Sequence, residues 1–131
     1  MHTIALGVNA EISLVVASAH TAHAMGSGDL EVFATPALIA LMEGAAVKAL
    51  APYLHAGASS VGVEIQVQHL AATPIGHTVR AQAEVIAVEG NQITLRVQAW
   101  DERDLIGEGT HRRAVIDIPR FMKRVEAKSL L

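Results

Sequence analysis

The chain of 131 residues contains no cysteine, and aromatic residues make up only 3% of it. Without cysteine there are no disulfides, thiolate nucleophiles or cysteine-based zinc sites, a composition typical of a reducing compartment. Since 51% of the residues are hydrophobic, the core must be aliphatic, and few rings remain for stacking on bases. The net charge of −3 gives no general attraction to nucleic acid or anionic membranes. We expect neither as a partner.

Positive charge and long apolar runs are also scarce near the amino terminus. No Lys or Arg precedes Lys48, so the apolar stretch at 12–19 lacks the positive flank of a signal peptide. No apolar run approaches the ~20 residues that a membrane-spanning helix needs. We therefore expect a cytoplasmic protein. A chain of this length predicts a single domain over residues 1–131, with its core at about 11–118.

Basic residues collect at the carboxyl end. Up to residue 111 the chain has four basic and eleven acidic residues, whereas 112–131 has six basic and two acidic ones. We treat 119–131 as a basic C-terminal tail. Such a tail either contacts a polyanionic ligand or is a solvated, partly frayed terminus, and the sequence leaves both open.

The first half of the chain predicts one strand and one long helix. The β-branched segment at 11–19 predicts a strand, and the glycine-containing segment at 20–31 predicts a loop or short lid. Thr35 suits the N-cap of a helix and Pro36 its first position. This helix should run to about Ala51, before Pro52.

From residue 59 onward the hydrophobic pattern changes to a period of two. Strands are expected at about 59–69, 77–88, 92–100 and 105–118, and the two glycines of the last one suggest a bend or bulge. The first of these four places His69 on its apolar face and Gly62 on the opposite face. Because the connecting turns are short, the strands should pair antiparallel. The order predicts an α+β hot dog fold, in which a curved antiparallel sheet of about five strands wraps one long central helix.

One carboxylate, Glu43, interrupts the predicted helix. Its neighbours on the helix surface are apolar (Ile39, Ala40, Ala46 and Val47), and Lys48 lies about 140° round the axis. An ionised carboxylate in such a place is costly unless it is paired or hydrogen-bonded. It lies either at an exposed edge of the helix, at a dimer interface with a backbone partner, or in a functional site.

Two other residues become interesting beside Glu43. Thr35 lies about 80° round the helix and ~12 Å along it, where free N–H groups at a helix start can stabilise an oxyanion. Taken alone, it is typical of a plain N-cap. His69 shares the apolar face of its strand and should point at the helix, although a lone buried histidine is often only a core residue bonded to backbone.

Three segments of the chain resemble a known family. "VFATPALIALMEGAAVKALAPYL", "SVGVEIQVQHLAATPIGHTV" and "GEGTHRRAVID" are similar to the fluoroacetyl-CoA thioesterase-like group of hot dog proteins over about residues 31–118. The resemblance implies that Thr35, Glu43 and His69 form a catalytic trio and that Gly62 and Arg113 belong to the substrate site. It also implies a homodimer with acyl-CoA sites between subunits, so that two chains complete the trio; a further pairing into a tetramer stays open.

The residue types of the trio suit thioester hydrolysis. By the resemblance, Glu43 attacks the thioester or acts as base for water, His69 bonds the carbonyl or manages the proton, and Thr35 positions Glu43 or the water. Backbone N–H groups near Gly62 would hold the oxyanion, and Arg113 with the basic tail would bind the CoA phosphates. No cofactor is expected beyond the CoA of the substrate, and no metal.

The chain departs from the family where selectivity is expected. The segment 20–31 contains no aromatic residue, and position 44 is glycine where a bulky aromatic is expected. We therefore expect hydrolysis of a small acyl-CoA in a wider pocket, without selectivity for fluoroacetyl-CoA. A carrier protein in place of CoA stays open.

Four functions other than a thioesterase agree with parts of the sequence. A non-catalytic hot dog protein that binds acyl-CoA or another small molecule is the main one, although a pure binder has no need of the trio. A hot dog hydratase would carry a D-x4-H motif, which is not found. A metal enzyme is disfavoured because, of the seven histidines, His20 and His23 have a plausible i, i+3 spacing but His55, His69, His77 and His111 show no ligand spacing, and no cysteine assists. A serine hydrolase is disfavoured because "GASSVG" does not fit G-x-S-x-G.

Overall fold

The computed structural model describes residues 3–130 and contains one five-stranded antiparallel sheet in the order β1-β3-β4-β5-β2. The strands are β1 (Asn9–Val15), β2 (Ala58–His69), β3 (Thr78–Glu89), β4 (Gln92–Trp100) and β5 (Leu105–Asp117). The helices are α1 (Ala22–Met25), α2 (Thr35–Leu50) and α3 (Ile118–Ala127). The sheet is curved around α2. The predicted hot dog fold is confirmed.

The core lies between α2 and the sheet and is aliphatic, as the composition predicts. Leu38, Met42 and Leu50 of α2 are fully buried, and they pack in one cluster with inward-facing residues of β3 and β4 such as Val79 and Leu95. Burial of each such large aliphatic side chain contributes about 1.5–3 kcal/mol. This packing fixes the position of α2, and therefore of the polar residues that it carries.

Helix α2 begins one residue earlier than the sequence predicts. Ala34 is the N-cap, in extended conformation, and Thr35 is already the first helical residue, followed by Pro36. The prediction that Thr35 is the N-cap is therefore wrong. The reason is that Pro36 fits equally well within the first turn, where a missing N–H leaves no bond unmade. The Thr35 hydroxyl is consequently free for a partner outside the helix.

Strand β2 contains a bulge that changes which residues face the helix. Its register with β5 shifts between Gly62 and Glu64, so that Gly62 lies opposite Arg113 while Ile65 lies opposite His111. Because residues opposite one another share a face, Gly62 lies on the same side as His69. The predicted uninterrupted alternation, which placed Gly62 on the far side, is wrong.

The glycines of β5 lie beside an irregularity and also close to other elements. The register with β4 pairs Ala99 with Gly107 but Trp100 with Leu105, which leaves Ile106 as an extra residue and confirms the expected bulge. A Cβ on Gly107 would lie 2.9 Å from Leu38, and one on Gly109 would run into the backbone of β2. These glycines therefore allow close packing against α2 and β2.

Near the carboxyl end, the α-helix α3 extends to residue 127. The Asp117 side chain caps α3 by accepting a hydrogen bond of 3.1 Å from the Arg120 N–H. One face of α3 is apolar, with Ile118, Met122 and Val125 each 40–43% exposed, and the other is basic. These residues are largely exposed, so the segment is solvated, and its contact with a polyanionic ligand stays a prediction. Within residues 3–130, no helix combines the length and apolar character needed to cross a membrane.

Candidate active site

Glu43 pairs with a buried arginine from the sheet. Its carboxylate oxygen Oε2 lies 3.3 Å from Nη1 of Arg113, which reaches across from β5. The Glu43 side chain is 41% exposed, whereas that of Arg113 is only 7% exposed. The sequence shows no cation beside Glu43 on the helix itself; the partner comes from another element, β5.

The guanidinium of Arg113 is held on three sides. Its Nε donates to Oγ of Ser60 and its Nη2 donates to the carbonyl oxygen of Ser60, both at 2.9 Å. Its Nη1 lies 3.2 Å from Nε2 of His111 as well as near Glu43. These contacts use the planar fork of donors that distinguishes arginine from lysine. In this arrangement the side chain is committed to residues of its own chain, not extended towards solvent where CoA phosphates would bind.

His111 is buried, and its tautomer follows from its partners. Its Nδ1 lies 2.8 Å from the carbonyl oxygen of Glu64. Since a carbonyl can only accept, Nδ1 carries the proton, and Nε2 of the neutral ring accepts from Arg113. Burial lowers the pKa of His111; the Glu64 carbonyl opposes this, and the positive charge of Arg113 adds to it. The 3.7 Å contact between Nε2 and Oε2 of Glu43 is then a contact with a neutral ring.

Gly62 leaves room for this cluster. A Cβ at this position would lie 2.6 Å from Oε2 of Glu43 and 3.2 Å from the His111 ring. Neither distance is compatible with an undisturbed side chain at position 62. The bulge in β2 and the absence of a side chain together let the carboxylate lie against the strand.

Thr35 and His69 meet at the other end of the α2–β2 pair. Oγ1 of Thr35 lies 2.8 Å from Nδ1 of His69. The other ring nitrogen of His69, Nε2, is buried and has no hydrogen-bond partner among residues 3–130. Burial lowers the pKa of His69, and the nearby backbone of Ala71 opposes this only in part, so the ring is neutral at pH 7. A neutral imidazole can accept or donate a proton.

An open pocket of about 320 Å³ adjoins this pair. Its lining is mostly small and apolar, and it consists of Ala22, Ser27, Val32, Phe33, Thr35, His69, Leu70, Ala71 and Ala72. The segment at 20–31, which the sequence assigned to a loop or lid, contributes the short helix α1 to one wall. Phe33, just beyond that segment, supplies an aromatic ring that the sequence reasoning did not consider.

The structure thus groups the predicted site residues in two clusters. Thr35 lies with His69, and Glu43 lies with Gly62 and Arg113. Eight helical residues, or ~12 Å of axis, separate Thr35 from Glu43. Sequence reasoning missed Ser60 and His111. His111 lies two residues before Arg113, so the period of two could have placed both on one face of β5.

In the part of the chain that the structure describes, no three residues of the His, Asp or Glu types are arranged to hold a metal ion. His20 and His23 have the spacing of metal ligands, but His20 accepts a hydrogen bond of 2.9 Å from the Ala17 N–H. His77 lies 2.9 Å from the Glu102 carboxylate. These side chains therefore have local partners.

The hot dog fold, together with the relatives described next, makes this chain a thioester hydrolase of the hot dog class. The family model described as fluoroacetyl-CoA-specific thioesterase matches residues 16–118. The chain is 50% identical over 99 residues to the fluoroacetyl-CoA thioesterase of Streptantibioticus cattleyicolor, which covers 76% of this chain and 71% of that protein. The chain therefore belongs to the fluoroacetyl-CoA-specific thioesterase family, and the predicted resemblance is confirmed.

Solved structures agree with this assignment. A structure of the fluoroacetyl-CoA thioesterase FlK matches with a TM-score of 0.90 and 41% identity, over 96% of this chain and 98% of that one. A Thermus thermophilus hypothetical protein, described as a thioesterase superfamily member, matches with a TM-score of 0.89 and 29% identity, over 98% and 97% of the two chains. The likeness thus extends over nearly the whole fold.

Proposed function

We propose that the protein hydrolyses the thioester of a small acyl-CoA, with Glu43 as the reacting carboxylate. The observation that carries this proposal is the arrangement of the two Glu43 oxygens. Arg113 holds Oε2, while Oε1 has no hydrogen-bond partner among residues 3–130 and the side chain is half exposed. A carboxylate fixed at one oxygen and open at the other is suited to accept a proton or to attack a carbonyl.

Two routes are consistent with this geometry. As a general base, Glu43 takes a proton from water, the hydroxide adds to the thioester carbonyl, and the tetrahedral intermediate expels the CoA thiolate. As a nucleophile, Glu43 displaces the thiolate to give a mixed anhydride, which water then hydrolyses. Both routes yield the free acid and CoA. Incorporation of solvent ¹⁸O into Glu43 after turnover would identify the second route.

Thr35 and His69 are proposed to act on the carbonyl side of the reaction. His69 lines the pocket, and its buried, unpartnered Nε2 is proposed to bond the substrate carbonyl or carry a proton once substrate is bound. Thr35 fixes the ring through Nδ1. Backbone N–H groups near Gly62 are proposed to stabilise the oxyanion, since a residue without a side chain permits close approach.

A homodimer is part of the proposal because one chain separates the trio into two clusters. Strand β2 is an edge of the sheet, and Val63 on it is 48% exposed. Two-fold antiparallel pairing of β2 with its copy would put the carboxyl end of one strand beside the amino end of the other. That pairing would bring a Thr35–His69 pair close to the Glu43 of the second subunit. Light scattering of the purified protein tests for the dimer.

Substrate selectivity is proposed to be broader than fluoroacetyl-CoA. The support is the segment 20–31, which contains no aromatic residue, so that Phe33 alone brings an aromatic ring to the lining of this pocket. Gly44 does not add to this argument, because a Cβ there would lie 2.7 Å from Cδ1 of Ile12. The space next to Gly44 is therefore filled by β1 and is not part of a wider pocket.

Thiol release from a panel of acyl-CoAs tests the proposal. Acetyl-, propionyl-, butyryl-, phenylacetyl- and fluoroacetyl-CoA are compared, and a chain without cysteine gives no background with a disulfide reagent. Glu43→Gln should lower kcat by about 10²–10⁴, the usual contribution of a positioned base. Full turnover in Glu43→Gln would exclude the proposed role of Glu43.

The second candidate, a binder of acyl-CoA without hydrolysis, has its own signature. It is favoured if no member of the panel turns over while acyl-CoA co-purifies intact. Turnover of fluoroacetyl-CoA alone would retain the thioesterase and contradict only the broader selectivity.

A further inference from the structure

We propose that His111 is a positioning residue for the reaction, acting through Arg113 on the Glu43 carboxylate. This inference rests on the proposed function of Glu43. His111 is not expected to touch the substrate, because its side chain is only 1% exposed. Its effect would pass through two hydrogen bonds that meet at one nitrogen, Nη1 of Arg113.

Nη1 of Arg113 carries two hydrogens, and each has its own acceptor. One lies towards Nε2 of His111 at 3.2 Å and the other towards Oε2 of Glu43 at 3.3 Å. Ser60 accepts from Nε and from one hydrogen of Nη2. The guanidinium is planar, so these four contacts set its rotation as well as its place. If the acceptor at His111 were lost, a buried N–H would lack a partner and the guanidinium would turn to find one.

The position of the proton on the His111 ring decides whether Nε2 can accept from Arg113. The Glu64 carbonyl fixes it on Nδ1, which leaves the lone pair of Nε2 for Arg113. Protonation of Nε2 would replace this acceptor by a donor and would place two positive charges 3.2 Å apart. The same new donor would face Oε2 of Glu43, now at 3.7 Å. Protonation should therefore pull the carboxylate from Arg113 towards His111.

The charged groups that face His111 are Arg113 from β5 and Glu43 from α2, and the polar group facing it from β2 is the Glu64 carbonyl. Burial keeps the ring neutral, since it lowers the pKa of His111 from the ordinary 6.5. The arrangement thus operates at pH 7, and an acidic loss of kcat is expected below pH 6.5, the ordinary value.

Two variants separate the acceptor from the donor. The amide of His111→Gln can reach the position of Nε2 and accept from Arg113, whereas the shorter His111→Asn can only replace Nδ1 and its bond to Glu64. We expect kcat to fall on the order of tenfold or more in His111→Asn, since small displacements of a reacting group reduce the rate strongly. His111→Gln should retain most of kcat, and KM should change little in either.

The pH profile is the readout that a purely structural role would not move. In His111→Gln the acidic loss of kcat should move to lower pH, because an amide does not titrate in this range, while the reacting Glu43 carboxylate must still be ionised. Thermal unfolding of both variants serves as the stability control. Equal losses in His111→Asn and His111→Gln, in proportion to their loss of stability and with an unchanged pH profile, would overturn the proposal.

A spectroscopic measurement keeps this inference distinct from the proposed function. Nitrogen-15 NMR of the wild-type protein at pH 7 should show His111 as the neutral tautomer with its proton on Nδ1. A proton on Nε2, or a charged ring, would overturn the positioning role whatever the activity. If instead Glu43→Gln retained full turnover, the proposed function would fail while the tautomer could still be observed.

Discussion

Two groups of polar residues lie between α2 and the sheet, and they differ in how many of their hydrogen-bonding atoms have a partner. At the end where α2 begins, Thr35 and His69 share one hydrogen bond beside an open pocket, and Nε2 of His69 has no partner among residues 3–130. In the middle of α2, Glu43 is held by Arg113, whose donors are engaged by Ser60 and His111 as well.

This difference suggests a division of labour. The Glu43 cluster is preorganised, so that little rearrangement is needed when charge develops nearby. The Thr35–His69 pair is incomplete, and a buried nitrogen without a partner is uncommon in folded proteins. A substrate carbonyl or the second subunit would supply what it lacks. Substitutions in the Glu43 cluster should therefore reduce the rate more than substitutions in the Thr35–His69 pair.

Among changes that keep Thr35, Glu43 and His69, the largest effect is expected from Gly62→Ala, which displaces a member of the preorganised Glu43 cluster. The new Cβ would lie 2.6 Å from Oε2 of Glu43, so the carboxylate must move. A displacement of about 1 Å in a reacting group lowers the rate by on the order of 100-fold. Steady-state thiol release should show this fall in kcat.

Gln66→Ala is the matched control for Gly62→Ala. Gln66 lies on the same strand but is exposed on the opposite face, so its loss should leave kcat unchanged. Wild-type kcat in a folded Gly62→Ala protein would show that the reaction does not depend on the observed position of the carboxylate.

A smaller effect is expected from Thr35→Val at the incomplete end. The change keeps the size of the side chain but removes the hydroxyl that fixes His69 at 2.8 Å. Because a single hydrogen bond contributes about 1 kcal/mol net, kcat should fall by roughly fivefold to tenfold. Thr35→Ser retains the hydroxyl and should stay close to wild type. A larger loss in Thr35→Val than in Gly62→Ala would reverse the comparison between the two ends.

The sequence predicts the elements of this fold well because their hydrophobic periods are clear. Strand β4 and the extent of α2 follow from period two and from the Pro36 and Pro52 boundaries. The partner of Glu43 could not be predicted in the same way. Arg113 lies 70 residues away, and only the pairing of β2 with β5 brings it under α2.

Local exceptions to a period are harder to predict than the period itself. The alternation in β2 reads without a break, yet the shift at Gly62 turns that residue to the helix side. Gly62 is the one local signal, because glycine inside a strand often marks a bulge, but the extra residue itself depends on the pairing with β5. Helix α3 was not predicted, although the sequence carries its signals: Asp117 is a favourable N-cap, and the apolar residues recur at helical spacing from Ile118 to Val125.

The smallest effect is expected from the basic face of α3. Asp117, where β5 ends, lies four residues and ~13 Å beyond Arg113, so the helix begins within reach of a CoA molecule whose thioester is at Glu43. We expect its cations to attract the CoA phosphates, a role for which Arg113 is too deeply buried. Replacing Arg120, Lys123 and Arg124 together by Gln should raise KM about threefold with unchanged kcat, since three exposed charge pairs at the low end of ~0.2–1 kcal/mol each contribute about 0.6 kcal/mol.

Two comparisons show whether the rise in KM of the triple variant has an electrostatic cause. A wild-type KM that rises with salt concentration, while that of the triple variant does not, would follow from screening of exposed charges. A thioester of N-acetylcysteamine lacks the phosphates of CoA, and its kcat/KM should be the same in both proteins. An equal loss on both substrates would instead mean that α3 supports the fold or the subunit contact, and the CoA phosphates would need another binding surface.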